Sequence, residues 1–421
     1  LNDLGIAQMA KAVGDNDGYT YLMNRALAYT YLFDTESEWF RGRTVDGAWS
    51  VKNLNPTAFG GDYEETNAWN MAFSAPHDGQ GLVNLYGSRE DLAAKLDTFF
   101  TTPYPSTTGM GGPTMINEIV QVKMGNYQHN NEPSLHIPYM YLYAGRPDRT
   151  QETVRQVLRQ CYTGSQIGGG YIGDDDNGAQ AAWYIFSAMG MYPLNVGSGE
   201  LVFGSPLFTK VTIHLENGKD LVISAPDNSS QNIYVAGLTI NGKPYNKTSI
   251  LQTELTENGA VIEFEMTDKP SAWGTDPDAA PTSLTTNDEI PNPKADQTVE
   301  AICDGAENVS LLTDNSSVTG TTLTPVDGKV SILYSFADMQ CITMYTLTSA
   351  QDKTSAPRDF ALYGSNDGKN WTLLDKREDV TFKWETYTRP FVVSNVDYYA
   401  EYRLDILTEH DVTLAEIELL A

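Results

Sequence analysis

The stretch Gly173-Asp174-Asp175-Asp176-Asn177-Gly178 places three adjacent aspartates directly before a helical pattern that runs from Ala179 to Gly190. Like charges this close repel one another, so they are tolerated where they face water, bind a cation or transfer protons. The flanking glycines permit a tight turn, and Asp176 or Asn177 is predicted to cap the helix, with Asp175 as the solvated aspartate. A capped helix with spare charge is the simplest interpretation, but two polar clusters upstream favour a functional site.

The first upstream cluster runs from Gly60 to Trp69 and ends in Pro76-His77-Asp78-Gly79. It combines carboxylates, including Glu65, with an amide, an indole and an imidazole. An indole face beside carboxylates is typical of sugar sites, because the apolar face of a pyranose stacks on it. The alternative is a helix start with Trp69 in the core.

The second upstream cluster is Gln128-His129-Asn130-Asn131-Glu132-Pro133. Amide and carboxylate oxygens so close together suit a hard cation such as Ca²⁺. The sequence contains no H-E-x-x-H motif and no closely spaced cysteine pair, which argues against zinc. The alternative is polar capping before Pro133.

The composition indicates a folded chain with a strongly acidic balance. Of 421 residues, 41% are apolar, and 55 acidic against 27 basic residues give a net charge of −28. This charge opposes binding to nucleic acid or to an anionic membrane surface, and no apolar run is long enough to span a bilayer. The balance suits an extracellular or cell-surface (secreted) protein with neutral sugars or cations as ligands.

Residues 1–198 are predicted to be helices joined by long polar loops, among them Pro103–Asn126. Apolar residues recur at three-to-four spacing, and Ser88 with Asp91 forms a capping box. Seven helices are predicted, at Leu4–Val13, Tyr19–Leu32, Asn67–Phe73, Arg89–Phe100, Leu135–Tyr143, Thr153–Tyr162 and Ala179–Met189.

Beyond residue 198 the pattern changes to alternating strands. Residues 199–275 are predicted to be an antiparallel β-rich domain, 276–296 a linker rich in Pro, Asp, Thr and Ser, and 297–421 a second strand-rich domain. Cys303 and Cys341 are expected to pair, whereas Cys161 is expected to be a core thiol.

The two groups of carboxylates suit glycoside hydrolysis. That reaction uses one carboxylic acid to protonate the leaving oxygen and a second carboxylate on the other face of the sugar. Glu65 and the aspartates of 174–176 are more than a hundred residues apart, so only the fold can bring them together. The chain has no G-x-S-x-G, P-loop or dinucleotide fingerprint, which argues against those enzyme classes.

These clusters, in this order, resemble glycoside hydrolase family 92, the calcium-dependent exo-α-mannosidases. The matching segments are Glu65-Thr-Asn-Ala-Trp69, Pro76-His-Asp78, His129-Asn-Asn-Glu-Pro133, Gly173–Gly178 and Trp183–Gly190, and the resemblance covers roughly residues 1–275.

The resemblance implies a multidomain α + β chain that begins with a partial (α/α)6 barrel, followed by antiparallel β-sandwich material. A complete barrel has twelve helices, whereas the pattern predicts seven. The chain is therefore expected to be the C-terminal part of a bacterial enzyme, with the N-terminal remainder of the same enzyme as its partner.

Roles for individual residues also follow from the resemblance. Glu65 corresponds to the general acid, Asp176 to the base that activates water, and Asp174 to its support. Ca²⁺ is expected around Asn131 and Glu132, where it would bind the 2- and 3-hydroxyls of mannose. The residues that correspond to the wall of the sugar site are Trp69, His77, Asp78 and His129.

The C-terminal segment, about 297–421, resembles the discoidin-like (factor 5/8 type C) β-sandwich jelly rolls. The matching pieces are Leu312–Asn315, Asp359–Trp371, Tyr402-Arg-Leu-Asp405 and Leu414–Leu419. Many such domains on glycosidases bind sugars.

The predicted function is exo-acting hydrolysis of terminal α-mannosides, of N-glycans or mannans, by a Ca²⁺-dependent inverting mechanism. Two alternatives stay open. One is a non-catalytic carbohydrate-binding or adhesion protein, and the other is an (α/α)6 glycoside phosphorylase. The aspartate triplet disfavours the phosphorylase, which needs cationic or hydroxyl ligands for phosphate.

Overall fold

The computed structural model describes residues 1–105, 113–164, 170–306 and 308–421, and of residues 113–117 it describes the backbone only. The chain folds into two compact units. The first comprises Leu1–Gly5 and Leu27–Asn292, and the second comprises Ile6–Ala26 and Pro293–Ala421. Among the described residues, no helix has both the length and the apolar character that crossing a membrane requires.

Helices dominate the first half of the chain. In the described residues the α-helices are α1 (Asn2–Ala12), α2 (Asn16–Arg25), α3 (Ala68–Met71), α4 (Gly79–Tyr86), α5 (Arg89–Thr101), α6 (Pro113–Val122), α7 (Pro147–Gln160), α8 (Ala179–Met189) and α9 (Gln252–Thr256). Short 3-10 helices lie at Ala28–Leu32, Glu132–Ser134, Ile137–Leu142, Asp176–Gly178, Pro277–Ala279, Val309–Leu312 and Lys353–Ser355.

Several of these helices match the sequence prediction and others differ from it. Ser88 caps α5 by accepting a hydrogen bond from the Asp91 amide (3.1 Å), which confirms Ser88 as the helix cap, and the Asp91 carboxylate accepts from the Ser88 hydroxyl (2.6 Å). Helix α8 has its predicted range. The α-helix predicted over Leu135–Tyr143 is wrong, because its first i→i−4 hydrogen bond would need an N–H that Pro138 lacks; a 3-10 helix forms instead.

Three of the α-helices that the structure describes were not predicted, and one of them is the short α9 within the β-rich segment. Helix α4 follows the Pro76–Asp78 segment directly, and α6 lies inside the loop predicted over Pro103–Asn126. Residues 106–112 of that loop lie outside the described residues. In the first unit, helices α3–α8 and the 3-10 segment at 137–142 share one core rich in aromatic side chains, including Phe73, Phe99 and Trp183.

The first unit also holds β1 (Phe33–Asp34), β2 (Trp39–Phe40), β3 (Met191–Tyr192), β4 (Glu200–Phe203), β5 (Lys210–His214), β6 (Asp220–Ser224), β7 (Tyr234–Ile240), β8 (Lys243–Pro244), β9 (Ser249–Leu251) and β10 (Ala260–Thr267). They form sheets β1-β2, β3-β4-β9 and β5-β6-β10-β7-β8. All pairs are antiparallel except β6–β10, which is parallel. The purely antiparallel prediction is wrong there, because the chain between these strands crosses over before it returns.

Residues 282–285, placed in the linker by the sequence pattern, are bound to the first unit. Thr282 donates to Glu200 through its amide and its hydroxyl (3.1 and 2.8 Å), and the Leu284 amide donates to the His77 carbonyl oxygen (3.2 Å). This segment is therefore a strap on the first unit.

The sheets of the second unit form a sandwich. Its strands are β11 (Ala301–Cys303), β12 (Thr321–Leu323), β13 (Lys329–Gln340), β14 (Met344–Ser349), β15 (Asp359–Ser365), β16 (Thr372–Arg377), β17 (Thr388–Val392), β18 (Tyr399–Leu407) and β19 (Val412–Leu420). Sheets β11-β13-β18-β15-β16 and β12-β19-β14-β17 contribute side chains to one core. The discoidin-like assignment of this sandwich stays a prediction.

The three cysteines are free. Cys161 is a buried thiol of the first unit, as predicted. The predicted Cys303–Cys341 disulfide is wrong. Cys303 lies opposite Ile332 in the β11–β13 pair, whereas Cys341 follows the far end of β13. Because each residue of a strand adds about 3.3 Å, the several residues between these two points keep the two cysteines too far apart to form a disulfide.

Glu416 of β19 is a nearly buried carboxylate in the second unit (7% exposed). Burial raises its pKa to about 7, and the negative charges of Asp314, Glu418 and Asp296 act in the same direction. The Ser316 amide, which donates to Glu416 (3.2 Å), opposes the rise. Ionised Glu416 therefore carries a free-energy penalty in the folded protein.

The penalty predicts a pH-dependent effect of Glu416→Gln. Because the folded-state pKa lies above the unfolded value, the penalty is fully present above about pH 7 and vanishes as the pH falls toward 4.5. We expect Glu416→Gln to raise the Tm by a few degrees at pH 8 and to leave it unchanged at pH 4.5, measured by calorimetry. Glu385→Gln, at an exposed position, is the control; equal shifts in both variants at pH 8 would contradict the prediction.

Candidate active site

Asp175, the central aspartate of the triplet, fixes the loop to the start of α8. Its Oδ1 accepts hydrogen bonds from the amides of Gln180 (2.8 Å) and Ala181 (3.0 Å), and its Oδ2 accepts one from the Tyr171 hydroxyl (2.7 Å). The Tyr171 bond, followed by the Ala181 amide, holds the pKa of Asp175 below its usual value.

The sequence prediction of a cap by Asp176 or Asn177, with Asp175 solvated, is wrong. Asn177 and Gly178 both adopt left-handed backbone conformations (φ +53° and +81°). This turn brings Asp175, rather than its neighbours, over the free N–H groups at the start of α8.

The outer two aspartates are left available for chemistry. Asp174 and Asp176 are exposed, and neither carboxylate accepts a hydrogen bond from any residue that the structure describes. Their position is set through the backbone, because the Asp174 carbonyl oxygen accepts from Gln180 Nε2 (3.1 Å).

Gly173 joins this loop to the cluster of residues 128–133. Its φ is +77°, and a Cβ atom at this position would clash with the carbonyl oxygen of Asn130. Glycine is therefore required for both the turn and the close approach. The approach carries the aspartates to the second polar cluster.

Glu65 reaches the same cluster from the other side. Asn131 Nδ2 donates to the Glu65 carbonyl oxygen (2.8 Å) and lies 3.4 Å from its carboxylate Oε2. Glu65 is exposed and has a φ of +52°, which is uncommon for a residue with a side chain and is frequent at functional sites.

A buried polar network supports Glu65 and the second cluster. Thr66 donates to Gln128 (2.9 Å), Asn70 donates to the Asn126 carbonyl oxygen (3.0 Å), and Ser134 donates to Asn70 (2.8 Å). Sequence reasoning missed these contacts, because the partners lie more than fifty residues apart and no local pattern connects them.

Glu132 lies among the other carboxylates. Its pKa is raised, first by burial and then by the negative charges of Asp176, Glu65 and Asp175, against a backbone hydrogen bond that lowers it. The fold therefore brings Glu65, Asn131, Glu132 and the aspartate loop together, as the sequence analysis required.

The oxygens of this cluster fit a hard cation. Glu132 Oε1 and Asn130 Oδ1 are buried, and neither has a hydrogen-bond partner among the described residues. Asn131 uses its amide nitrogen on Glu65, which leaves its Oδ1 as a potential ligand. The described residues contain no group of three His, Cys, Asp or Glu side chains arranged for a metal, so a site here depends on amide oxygens, which Ca²⁺ accepts.

His129 is fully buried. Its Nδ1 is 2.7 Å from the Tyr127 hydroxyl and its Nε2 is 2.7 Å from the Tyr162 hydroxyl, while Trp183 packs edge-on to the ring at 4.6 Å. Burial lowers its pKa to about 3, so the ring is neutral. His129 is thus a buried side chain whose two ring nitrogens both face tyrosine hydroxyls, and its predicted role in the sugar site stays a prediction.

The remaining predicted wall residues also lie below the surface. Trp69 is 9% exposed and packs edge-on to Trp39 at 4.7 Å. His77 is 2% exposed and packs edge-on to Tyr29 at 5.7 Å. Their predicted role in sugar binding stays a prediction.

Asp78 is fully buried and binds a complete set of donors. It caps α4 through the Gly81 amide (3.3 Å) and accepts from the hydroxyls of Tyr29 (2.8 Å), Ser283 (2.7 Å) and Thr285 (2.8 Å), and from the Thr285 amide (2.7 Å). Every one of these contacts is internal to the first unit.

Comparison with known proteins extends these observations. The family model described as the Glycosyl hydrolase family 92 catalytic domain matches residues 1–268. A solved structure of the family 92 α-mannosidase BT3965 from Bacteroides thetaiotaomicron, in complex with mannoimidazole, is 31% identical with a TM-score of 0.63, over 68% of this chain and 38% of that one. The inverting mannosidase BT2199 of the same organism is 36% identical with a TM-score of 0.58, over 67% and 38%.

A curated relative from the fungus Arthroderma benhamiae, named an uncharacterized secreted glycosidase, is 28% identical over 58% of this chain and 30% of its own length. The chain thus spans about a third of the length of the relatives that it matches. The family model covers well over half of the chain, and the carboxylates of the chain lie where three loops meet. The chain therefore belongs to glycoside hydrolase family 92.

Proposed function

We propose that the chain forms part of an exo-acting α-mannosidase that removes terminal α-mannose from N-glycans or mannans with inversion and with Ca²⁺. The observation that carries the proposal is the meeting of three loops, in which Asn131 binds Glu65 and Gly173 lies against Asn130. The choice of mannose as the substrate sugar rests on the relatives described as mannosidases. The N-terminal remainder of the enzyme is the proposed partner, and the relative called secreted favours an extracellular location.

In this proposal Glu65 protonates the leaving oxygen. Because Asn131 Nδ2 lies beside Oε2, the proton is best carried on Oε1, which then faces the glycosidic oxygen. Asp176, exposed and free of hydrogen bonds from described residues, removes a proton from the attacking water, and Asp174 supports it. Inversion follows from attack on the face opposite the leaving group.

Asn131 and Glu132, with Asn130 beside them, are the proposed ligands for Ca²⁺. Bound there, the cation would polarise sugar hydroxyls and stabilise developing charge. A bound cation would also stabilise the ionised form of Glu132, because its positive charge relieves the repulsion of Glu132 by Asp176 and Glu65.

The test is release of mannose from α-mannosides by the full-length protein, with Ca²⁺ or EDTA and with or without phosphate. We expect EDTA to lower the rate by about 100-fold or more and Ca²⁺ to restore it. NMR of the first product should show β-mannose. Mannose 1-phosphate formed only with phosphate would indicate a phosphorylase, and glycan binding without hydrolysis would indicate an adhesion protein.

Cation binding has a readout that does not depend on catalysis. Ca²⁺ should raise the Tm of the wild type and not that of Glu132→Gln, because a ligand stabilises only the state that binds it. Glu64→Gln, exposed in the neighbouring loop, should respond like the wild type. An equal response from Glu132→Gln would place the cation elsewhere.

A further inference from the structure

A short hairpin precedes Glu65 in the chain and carries an ordered aromatic–cationic surface. Two backbone hydrogen bonds pair the sides of the hairpin at residues 42–50. The Ser50 amide donates to the Gly42 carbonyl oxygen (2.9 Å), and the Thr44 amide donates to the Ala48 carbonyl oxygen (2.9 Å). The Arg43 guanidinium stacks 3.7 Å from the centre of the Trp49 ring. We call residues 41–51 the arginine–tryptophan hairpin.

Both arginines of the hairpin are held in place. Arg43 Nε donates to the Tyr31 carbonyl oxygen (2.7 Å) and Nη1 donates to Gly47 (2.6 Å). Buried Arg41 forms a salt bridge with Asp34 (2.5 Å), and its guanidinium lies 5.0 Å from the Trp49 ring centre. A salt bridge and hydrogen bonds thus hold both guanidinium groups beside the Trp49 ring.

The hairpin is clamped to the segment that carries Glu65. Asp62 Oδ2 accepts from the Gly42 amide (3.0 Å) and from the Ser50 hydroxyl (2.5 Å), and the Tyr63 hydroxyl donates to the Phe40 carbonyl oxygen (2.6 Å). Gly42 has no room for a side chain, because a Cβ would clash with the Asp62 carboxylate. Three residues of chain, at most about 11 Å, separate this clamp from Glu65.

Two different groups of residues are therefore tied to the segment that carries Glu65. Asn131 donates to Glu65 itself, and the hairpin is attached to Asp62, three residues earlier in the chain. A general acid contacts the oxygen that joins the two sugars. In the proposed function the cleaved mannose occupies the carboxylate cluster, which leaves the hairpin as a candidate surface for the leaving sugar.

The hairpin has the chemistry to contact a sugar. Trp49 is partly exposed and Arg43 is exposed, and Arg43 Nη2 has no hydrogen-bond partner in the described part of the chain. An indole suits the apolar C–H face of a pyranose, and guanidinium N–H groups suit its hydroxyls.

Resting on the proposed function, we infer that Trp49 and Arg43 form the subsite for the leaving sugar and set which α-mannosides are cleaved. Trp49 supplies the contact surface, Arg43 donates to hydroxyls, and Asp62 acts as a positioning residue. The leaving group that this surface takes is a neutral sugar.

The experiment compares two substrates of the full-length protein, an α-mannobiose with a leaving sugar and α-mannosyl fluoride without one. For Trp49→Ala we expect kcat/KM toward mannobiose to fall by about 10-fold or more, while the value for α-mannosyl fluoride stays unchanged. Trp49→Phe should recover part of the loss, and Asp62→Ala should reproduce it. Trp384→Ala, an exposed tryptophan of the second unit (60% exposed), is the control and should change neither value.

The outcomes separate this inference from the proposed function. If the wild type hydrolyses neither substrate, the proposed function fails. If the wild type hydrolyses both and Trp49→Ala or Trp49→Phe changes them equally, or changes neither, the inference is overturned and the proposed function stands. If circular dichroism shows that Trp49→Ala does not fold, Trp49→Phe and Arg43→Gln replace it. The ratio of kcat/KM for mannobiose to kcat/KM for α-mannosyl fluoride in these variants then tests the inference.

Discussion

Glu65→Gln is expected to lower kcat/KM toward an α-mannobiose by about 10²–10⁴-fold in the full-length protein, and to spare hydrolysis of α-mannosyl fluoride. Glutamine keeps the shape that Asn131 contacts but cannot donate a proton to the leaving oxygen. A sugar leaving group needs that proton, whereas fluoride departs with little help. The loss should therefore depend on the leaving group.

The same pair of substrates assigns the base. Asp176→Asn should lose activity toward both, because activation of the water is needed whichever group departs. Asp174→Asn should show a smaller loss on both. Glu64→Gln, exposed beside Glu65, is the matched control and should resemble the wild type. Equal losses on both substrates in Glu65→Gln would remove its role as acid.

Asp78→Ala is expected to destabilise the protein by about 3–5 kcal/mol. The change leaves the Tyr29, Ser283 and Thr285 hydroxyls and two amides without their buried acceptor. Asp78→Asn should also destabilise, because its NH₂ group would face donors. Thermal unfolding by calorimetry measures both.

The control for the destabilisation by Asp78→Ala is a substitution at another helix cap, Ser88. Ser88 caps α5 through a solvent-exposed hydrogen bond, and Ser88→Ala should cost only about 1 kcal/mol. If Asp78→Ala kept the wild-type Tm and raised only the KM for α-mannosides, Asp78 would belong to the sugar site, as the resemblance implied, and its structural role would be secondary.

The sequence predicted local features of the site better than its supporting contacts. Helix α8 and the cap at Ser88 follow from neighbouring residues, and both were predicted. The use of Asp175 as the cap was not, because it depends on left-handed conformations at Asn177 and Gly178 that side-chain pattern does not specify.

Long-range polar contacts account for the other differences. His129 is identified as a buried histidine only through Tyr127 and Tyr162, and the second of these lies 33 residues away. The contacts that bring Glu65 to Glu132, such as the hydrogen bond from Thr66 to Gln128, join residues 62 positions apart, and no local pattern in the sequence pairs them. The sequence was enough to predict the set of carboxylates. It was not enough to predict which neighbouring residues position them.

The strap at residues 282–285 has a consequence for the order in which the protein is made. Ser283 and Thr285 reach Asp78 across 205 and 207 residues of chain, so a ribosome that has just completed α4 has not yet synthesised the groups that complete its buried start. The first unit cannot reach its final hydrogen bonding until the ten strands β1–β10 have emerged. A nascent chain that stops before residue 285 would lack the Ser283 and Thr285 donors of Asp78, so its first unit would be less stable than that of the complete chain.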